Sequence, residues 1–405
     1  MKVYLVGGAV RDQLLGLPVL ERDWVVVGST PANLCQQGYQ PVGRDFPVFL
    51  HPTTREEYAL ARTERKSAPG YYGFVCDFSP HVRLEEDLAR RDLTVNAMAM
   101  SGDGELIDPY HGQADLAAKV LRHVSPAFVE DPVRVLRVAR FAARFYSFGF
   151  KVADETRVLM YHMVKRGELA SLVPERVWQE WQRSLLTEHP DAFINTLRSC
   201  GALRVILPEL DALFGVPGSP RYHPEVDTGV HSVMALKAAV ALSDDPVVRF
   251  AALIHDLGKA CTKAAQWPSH PGHGDAGLPV IEALCQRLRI PADYGQLALM
   301  ASRFHTAIHQ VYALDAEAIV STLEHADAFR RPEGFEKLLL VCEADASGIG
   351  RRVDYQQAHF WRHLLVECTQ VNAKMCIEEG YQGAAIKAAL HERRVRRVYD
   401  LLLEK

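Results

Sequence analysis

Lys2-Val-Tyr-Leu-Val-Gly-Gly-Ala-Val-Arg-Asp12 and, nine residues on, Glu21-Arg-Asp-Trp-Val-Val-Val27 decide the fold of the first part of the chain. The run up to Val6 reads as a strand that breaks at Gly7-Gly8 and continues as a short helix, Ala9 to Leu15. A helix opened by two glycines lets backbone N–H groups approach an anion closely. Arg11 in the first turn adds a positive charge, which makes Gly8 and Arg11 a candidate phosphate seat. A plain strand–helix corner is the other reading of the same residues. Glu21 and Asp23 stand two apart at the start of a strand ending at Val27, so both carboxylates are expected on one face of it. Neighbouring anions repel unless a cation bridges them, and hard oxygen donors suit Mg2+ holding a triphosphate. A solvated turn at Glu21-Arg22-Asp23 remains open.

Working outward, Val48–Leu50 and Tyr58–Ala61 are further strand-like runs, punctuated by glycine and proline as in a mixed α/β or α+β head. Glu57 is either a third carboxylate or an exposed glutamate. From about Asp115 the spacing turns helical and stays so. Glu130 to Phe145 reads as a helix whose Arg134, Arg137, Arg140 and Arg144 fall within an arc of about 120°. No residue from Pro132 to Phe145 is acidic, so this side lacks the alternating charges of an ordinary surface helix. Asp131 and Arg134, three apart, can reach one ligand. Cytosine and adenine both present an amino donor beside a ring-nitrogen acceptor, which an aspartate and an arginine match; guanine and uracil present the reverse order. One such pair would accept C and A and reject G and U.

Four ordered segments carry a family resemblance: Leu5-Val-Gly-Gly-Ala-Val-Arg-Asp12, the Glu21-x-Asp23 pair, Glu86-Asp-Leu-Ala-Arg-Arg-Asp-Leu-Thr-Val-Asn-Ala-Met98 and Glu130-Asp-Pro-Val-Arg134. Together they resemble the successive motifs of the class II CCA-adding enzymes, a branch of the polymerase β superfamily. The resemblance implies an α+β fold, with a polymerase β-like nucleotidyltransferase head, an all-helical neck and body, and a helical HD domain. It assigns Gly8 and Arg11 to the triphosphate and Glu21 and Asp23 to catalytic Mg2+. Arg91 and Asp92 go to the incoming nucleotide's phosphate and ribose. Asp131, Arg134, Arg137 and Arg140 complete the nucleotide pocket. The family usually has Asp-x-Asp where this chain has Glu21-x-Asp23. Leu172–Trp178 and Leu207–Leu210 resemble architectural neck and body segments. Arg62–Phe74 has the charge, glycine and aromatic content of a mobile loop, in a region the family links to the last A addition; an ordinary connection is the alternative.

Leu213–Pro224, with its prolines and glycines, reads as a domain junction. Beyond it, His231, His255-Asp256 and Asp345 resemble the H…HD…D ligand set of HD phosphohydrolases. Imidazoles with carboxylates suit a transition metal better than Mg2+, and the resemblance implies Ni2+ or another such metal. Phosphatase, 2′-nucleotidase and 2′,3′-cyclic phosphodiesterase activities are what this resemblance implies. His270, His273 and His305 are either further ligands or loop residues.

The sequence is 405 residues long with 48% hydrophobic and 24% charged residues, the profile of an ordinary multidomain globular protein. Expected domains are 1–140 (head and start of neck), 141–224 (neck and body), 225–350 (HD domain) and 351–405 (helical tail). Eight cysteines without a C-x-x-C pair argue against a zinc ribbon or disulfide framework. No apolar run approaches the roughly 20 residues of a membrane helix, and the start is too quickly broken for a signal peptide; a cytoplasmic protein is expected. A net charge of −4 leaves RNA contacts to local patches, the Arg134–Arg144 face or the Arg393, Arg394, Arg396, Arg397 cluster, the latter equally readable as a solvated helix. Expected partners are the acceptor and T stems of tRNA with CTP and ATP, on a monomer or homodimer. A poly(A) polymerase sharing the head motifs and a catalytically dead RNA or nucleotide sensor are the alternatives.

Overall fold

Strand β1 (Lys2–Val6) pairs antiparallel with β2 (Asp23–Val27), setting Val6 opposite Asp23. Along β2, side chains alternate between two cores. Val25 packs with Val6, Leu84 and Leu88, and Val26 with Leu34, Phe49 and Tyr58 on the other face. Asp23 has the parity of Val25 and thus shares that face. The computed structural model describes residues 1–42, 48–66, 74–218, 227–347 and 354–403.

Strands β3 (Gln40–Val42), β4 (Val48–Leu50) and β5 (Glu57–Leu60) lie on one side of β2; β6 (Thr63–Lys66) and β7 (Phe74–Asp77) pair separately. With β8 (Ala99–Ser101) and β9 (Leu106–Ile107) the main sheet runs β3-β4-β5-β2-β1-β8-β9. Only its β2–β5 pair is parallel, placing Glu57 in register with Asp23. The short strands β3, β8 and β9 escape a sequence reading because two or three residues show no alternation. So does the pair β10 (Val120–Leu121) and β11 (Lys151–Val152) inside the stretch read as helical.

The helices of this unit are α1 (Gly8–Leu14), α2 (Pro31–Gln36), α3 (Leu84–Ala89), α4 (Gly112–Ala118), α5 (Val133–Arg144), α6 (Asp154–Lys165), α7 (Pro174–Leu185), α8 (Pro190–Ser199) and α9 (Leu203–Ile206). Proline at the first position starts α7 and α8, where its missing N–H costs nothing. Helix α5 packs against α7 and α8. It begins at Val133, not Glu130. Pro132 forces Asp131 out of helical geometry, to φ −119° and ψ 105°, so the i, i+3 helical spacing of Asp131 and Arg134 does not apply.

The chain divides into compact units 1–206 and 207–405. That division lies just before the junction read at Leu213–Pro224, of which 219–224 fall outside the described residues. The expected boundary at 140 falls inside α5, and that at 350 outside the described residues. The second unit is helical: α10 (Pro208–Asp211), α11 (Thr228–Leu242), α12 (Pro246–Ile254), α13 (His273–Leu288), α14 (Ala292–His309), α15 (Ala316–His325), α16 (Pro332–Ser347), α17 (Gln356–Gln370), α18 (Ala373–Glu378) and α19 (Ala384–Leu403). Helices α11, α12, α14 and α16 pack on one another, and the tail helix α19 packs on α15 and α17 of the same unit. No described helix is long and apolar enough to cross a membrane.

Candidate functional sites

In the first unit, one cleft of about 530 Å³ is lined by ten arginines and five carboxylates, an excess of positive charge suited to a polyanion. Glu21, Asp23, Gly8, Arg11, Arg91, Asp92, Asp131, Arg134, Arg137 and Arg140 all line it. Glu57 is not among the lining residues. Of the Arg62–Phe74 segment, Arg62 and Glu64 reach the cleft, while 67–73 lie outside the described residues.

Gly7 has φ 70° and ψ −128°, a region essentially closed to other residues, and a Cβ there would come 2.7 Å from Arg91 Nη1. The positive φ calls for glycine, and the Arg91 guanidinium lies close over the turn. Gly7→Ala is expected to destabilise the first unit by about 2 kcal/mol, read as a lower urea midpoint; an unchanged midpoint would refute the need for glycine at this turn.

Most of these arginines are held in place rather than free. Arg137 Nε donates to Asp92 at 2.7 Å, and Arg140 Nε donates to Glu180 at 2.5 Å. Arg90 and Arg91 share the buried Asp87, at 2.7 and 3.2 Å. Arg11 pairs with Asp12 at 2.7 Å, which also takes Arg144 at 2.9 Å, so Arg11 does not bring the uncompensated charge its sequence position suggests. Phe141 lies beneath this fan, with Arg140 at 4.2 Å and Arg11 at 5.2 Å from its ring centre. Asp92, expected at the ribose, also accepts from Asn96 at 3.0 Å and the Leu93 amide at 2.8 Å. Burial would raise its carboxyl, but Arg137 and these donors pull it well below the carboxylate range.

Asp131 accepts both arms of Arg176, at 3.1 and 2.7 Å, and the Val133 amide at 3.1 Å. Arg134 donates to the carbonyls of Arg90, at 2.5 Å, and Ala127. One lone pair on Asp131 Oδ2 and three Arg134 N–H donors remain after these bonds. The sequence reading missed Arg176, Glu180 and Arg183. They recur at i, i+4 and i+7 on α7, one helical face, within and beyond a segment taken as architectural. Glu21 and Asp23 differ from the other acids: no described side chain donates a hydrogen bond or ion pair to either carboxylate. Burial raises the Asp23 carboxyl, Arg91 opposes this, and Glu21 adds to it. Two exposed carboxylates without protein partners, lining one arginine-rich cleft, can offer oxygen donors to a hard divalent cation.

In the second unit, α11 brings His231, the end of α12 brings His255 and Asp256, and α16 brings Asp345 to one buried cluster. His231 Nε2 is 2.7 Å from Asp345 Oδ1; His255 Nε2 is 3.3 Å from Asp256 Oδ2 and 3.4 Å from Asp345 Oδ2. His255 Nε2 and Asp256 Oδ1 are buried without a hydrogen-bond partner among the described residues. Orphaned donor atoms converging in this way fit a transition-metal ion. Burial opposes a charge on His255, but Asp256 and Asp345 raise it well above its ordinary value.

His305 and His273 join the cluster, and burial pushes His305 down to about 3, keeping it a neutral imidazole. His270 does not join: its ring nitrogens meet the Pro217 carbonyl at 2.8 Å and Thr262 at 2.6 Å. His309, missed from sequence, reaches Asp345 at 2.7 Å; its i+4 spacing from His305 on α14 was the available signal. Of the Arg393–Arg397 cluster, Arg396 is exposed and the other three arginines are paired. Arg393 pairs with Glu379, Arg394 with Glu324 at 3.4 Å and Arg397 with Glu367 at 2.5 Å.

A family described as "Poly A polymerase head domain" matches residues 3–122, and one described as "Probable RNA and SrmB- binding site of polymerase A" matches 149–214. The chain is 64% identical over 395 residues to a multifunctional CCA protein of Legionella pneumophila (strain Paris), covering 98% of this chain and 96% of the relative. It is 58% identical to the multifunctional CCA protein of Thioalkalivibrio sulfidiphilus, over 100% and 99% of the two chains. Among solved structures it is similar in fold to a CCA-adding enzyme with ATP, at TM-score 0.66 and 20% identity over 98% of this chain and 85% of that one. A Thermotoga maritima CCA-adding enzyme complexed with tRNA is similar at TM-score 0.62 and 20% identity, over 100% and 90%.

Proposed function

The chain belongs to the multifunctional CCA proteins, the bacterial CCA-adding enzymes, and on that premise we propose that its two clefts carry two separate phosphoryl chemistries. The head adds C, C and A to the 3′ end of tRNA from CTP and ATP. What supports this reading best is the pair Glu21 and Asp23, without protein partners, facing ten arginines.

Glu21 and Asp23 would hold Mg2+, which when bound lowers the pKa of the attacking 3′-hydroxyl and neutralises the pyrophosphate that leaves. Glu21, one methylene longer than the family's usual aspartate, can reach the same ion by a rotamer change. Gly8, Arg11 and Arg91 receive the triphosphate beside the Gly7-Gly8 turn. Asp92 and Glu180 fix Arg137 and Arg140 so that the nucleotide meets guanidiniums already oriented. Asp131, braced by Arg176, accepts from the amino group of C or A, while Arg134 donates to the adjacent ring nitrogen. A G or U would set acceptor against acceptor and donor against donor.

Asp131→Ala is expected to reduce discrimination between CTP and UTP by about 10²-fold or more in single-turnover incorporation, with the Mg2+ dependence unchanged. Intact discrimination would defeat the base-reading role. The activity itself is tested with tRNA lacking its CCA end and separate pools of CTP and ATP. Two C residues should add from CTP, and a single A should follow only after them. A long run of A from ATP alone would favour a poly(A) polymerase.

The second unit is a phosphohydrolase of the HD type, acting on phosphomonoesters and 2′,3′-cyclic phosphates such as damaged tRNA ends. His231, His255, Asp256 and Asp345 would hold a transition metal, Ni2+ among the candidates, which supplies an activated water for attack on phosphorus. Burial of the cluster shields the reacting water from bulk solvent.

A further inference from the structure

Nine of the ten arginines lining the cleft of the first unit donate to a protein acceptor: Arg62 to Glu64 at 2.8 Å, the others as described above. Arg183 is the exception. It is exposed, in the last turn of α7, and no acceptor among the described residues takes its guanidinium. At the corresponding end of α5, Arg144 is the last helical residue and lines the same cleft.

The turns that follow these two helix ends meet. Tyr146, beyond α5, lies against His189, beyond α7, with ring centres 4.5 Å apart, and Ser147 Oγ donates to Glu188 at 2.9 Å. The Tyr146 ring is still 51% exposed, and Leu186 at the end of α7 is 60% exposed. An aromatic ring braced on one side and open on the other therefore stands at the same helix ends as the cleft's unanchored arginine.

These groups recognise something other than what Asp131 and Arg134 recognise. That pair faces the donors and acceptors of a base edge. A guanidinium free to turn takes any phosphate, and an open ring stacks on any base, because every base has a π-face. Under the proposed activity the RNA presents three different ends in turn: its own last nucleotide, then one C, then two. A seat for that end must be blind to base identity and must follow a phosphate that shifts, whereas the incoming triphosphate meets arginines already fixed. We propose that Arg183 and the Tyr146 ring, backed by His189, hold the unpaired 3′-terminal nucleotides of the RNA substrate, with Arg183 on a phosphodiester and Tyr146 against a base. The proposal rests on the CCA-adding reading and adds to it the seat of the strand being extended. Charge complementarity and continuity with the nucleotide cleft favour RNA as the occupant of this patch.

The test measures equilibrium binding of the full-length chain, without nucleotide, to tRNA ending in two added C residues and to the same tRNA trimmed to its last base pair. Tyr146→Ala should weaken binding of the overhanging RNA by about 5- to 100-fold and of the trimmed RNA by less than about twofold. Arg183→Ala should lower the slope of log affinity against log salt by about 0.7, one single-strand phosphate, for the overhanging RNA alone. Tyr146→Phe and Arg183→Lys should bind as the parent does, and both alanine variants should keep the parent's KM for CTP. A raised KM for CTP with unchanged RNA binding would place Arg183 at the triphosphate and overturn the proposal. Equal weakening for overhanging and trimmed RNA would overturn it too. A parent chain that adds no CMP to tRNA lacking its CCA end overturns the CCA-adding reading itself. Urea midpoints check folding; should Tyr146→Ala lower its midpoint, the salt slope of Arg183→Ala decides alone.

Discussion

Replacing Asp23 with alanine is expected to slow nucleotide addition by about 10³-fold or more, since metal stabilisation of the transition state supplies several kcal/mol and each 1.4 kcal/mol is a decade. The same change should leave thermal unfolding nearly unaltered. Asp23 accepts no hydrogen bond or ion pair from a described side chain, and its neighbour Glu21 is repelled by it. A residue retained for packing would show the opposite pattern, with stability falling and the chemical step preserved. The measurement is single-turnover incorporation of CMP into tRNA lacking its CCA end, across a Mg2+ titration. A loss below tenfold would remove Asp23 from the metal site.

His255→Ala should abolish hydrolysis of a 2′,3′-cyclic nucleotide and leave CCA addition within about twofold, below 0.5 kcal/mol. Here stability must change as well. The ring is fully buried between Asp256 and Asp345, and removing one partner of a buried charge pair costs about 3–5 kcal/mol. Unfolding of the metal-free second unit should therefore shift markedly while that of the head does not. Equal loss of both activities would refute the division of labour.

The pH dependence follows from the directions of the shifts. His255, raised above its unfolded value, contributes stability that is complete below that unfolded value and fades as pH rises through the folded one. Asp256 and Asp345, lowered well below theirs, contribute stability present above the unfolded carboxylate value and lost in acid as pH falls through the folded one. A metal must displace the His255 proton, so its affinity should rise with pH.

Much of the head was legible because its signals are local. Gly7-Gly8 must turn, and the alternation of Val25 and Val26 fixes the face on which Asp23 lies. The adjacent pair His255-Asp256 likewise announces itself. What stayed hidden depends on partners distant in the sequence. Arg176 and Glu180 look like ordinary charges on α7 until α5 packs beside them, with Asp131 just before its start and Arg140 on it. His309 gains its role only through Asp345 on another helix, and Arg393, Arg394 and Arg397 lose their apparent freedom to glutamates on α15, α17 and α18's end. The helix start was misread at Asp131 because the arginine periodicity outweighed the one residue, Pro132, that sets the boundary.

The carboxylates and carbonyls that grip Arg134, Arg137 and Arg140 have a consequence for affinity. Freezing a long side chain costs up to about 2 kcal/mol of rotamer entropy, and here that cost falls at folding and not at each encounter with a nucleotide. A preorganised fork discriminates sharply between shapes, yet it leaves little slack. Under the proposed base-reading role, changing from one accepted base to the other would then come from rigid movement of whole elements, not from guanidiniums swinging in place.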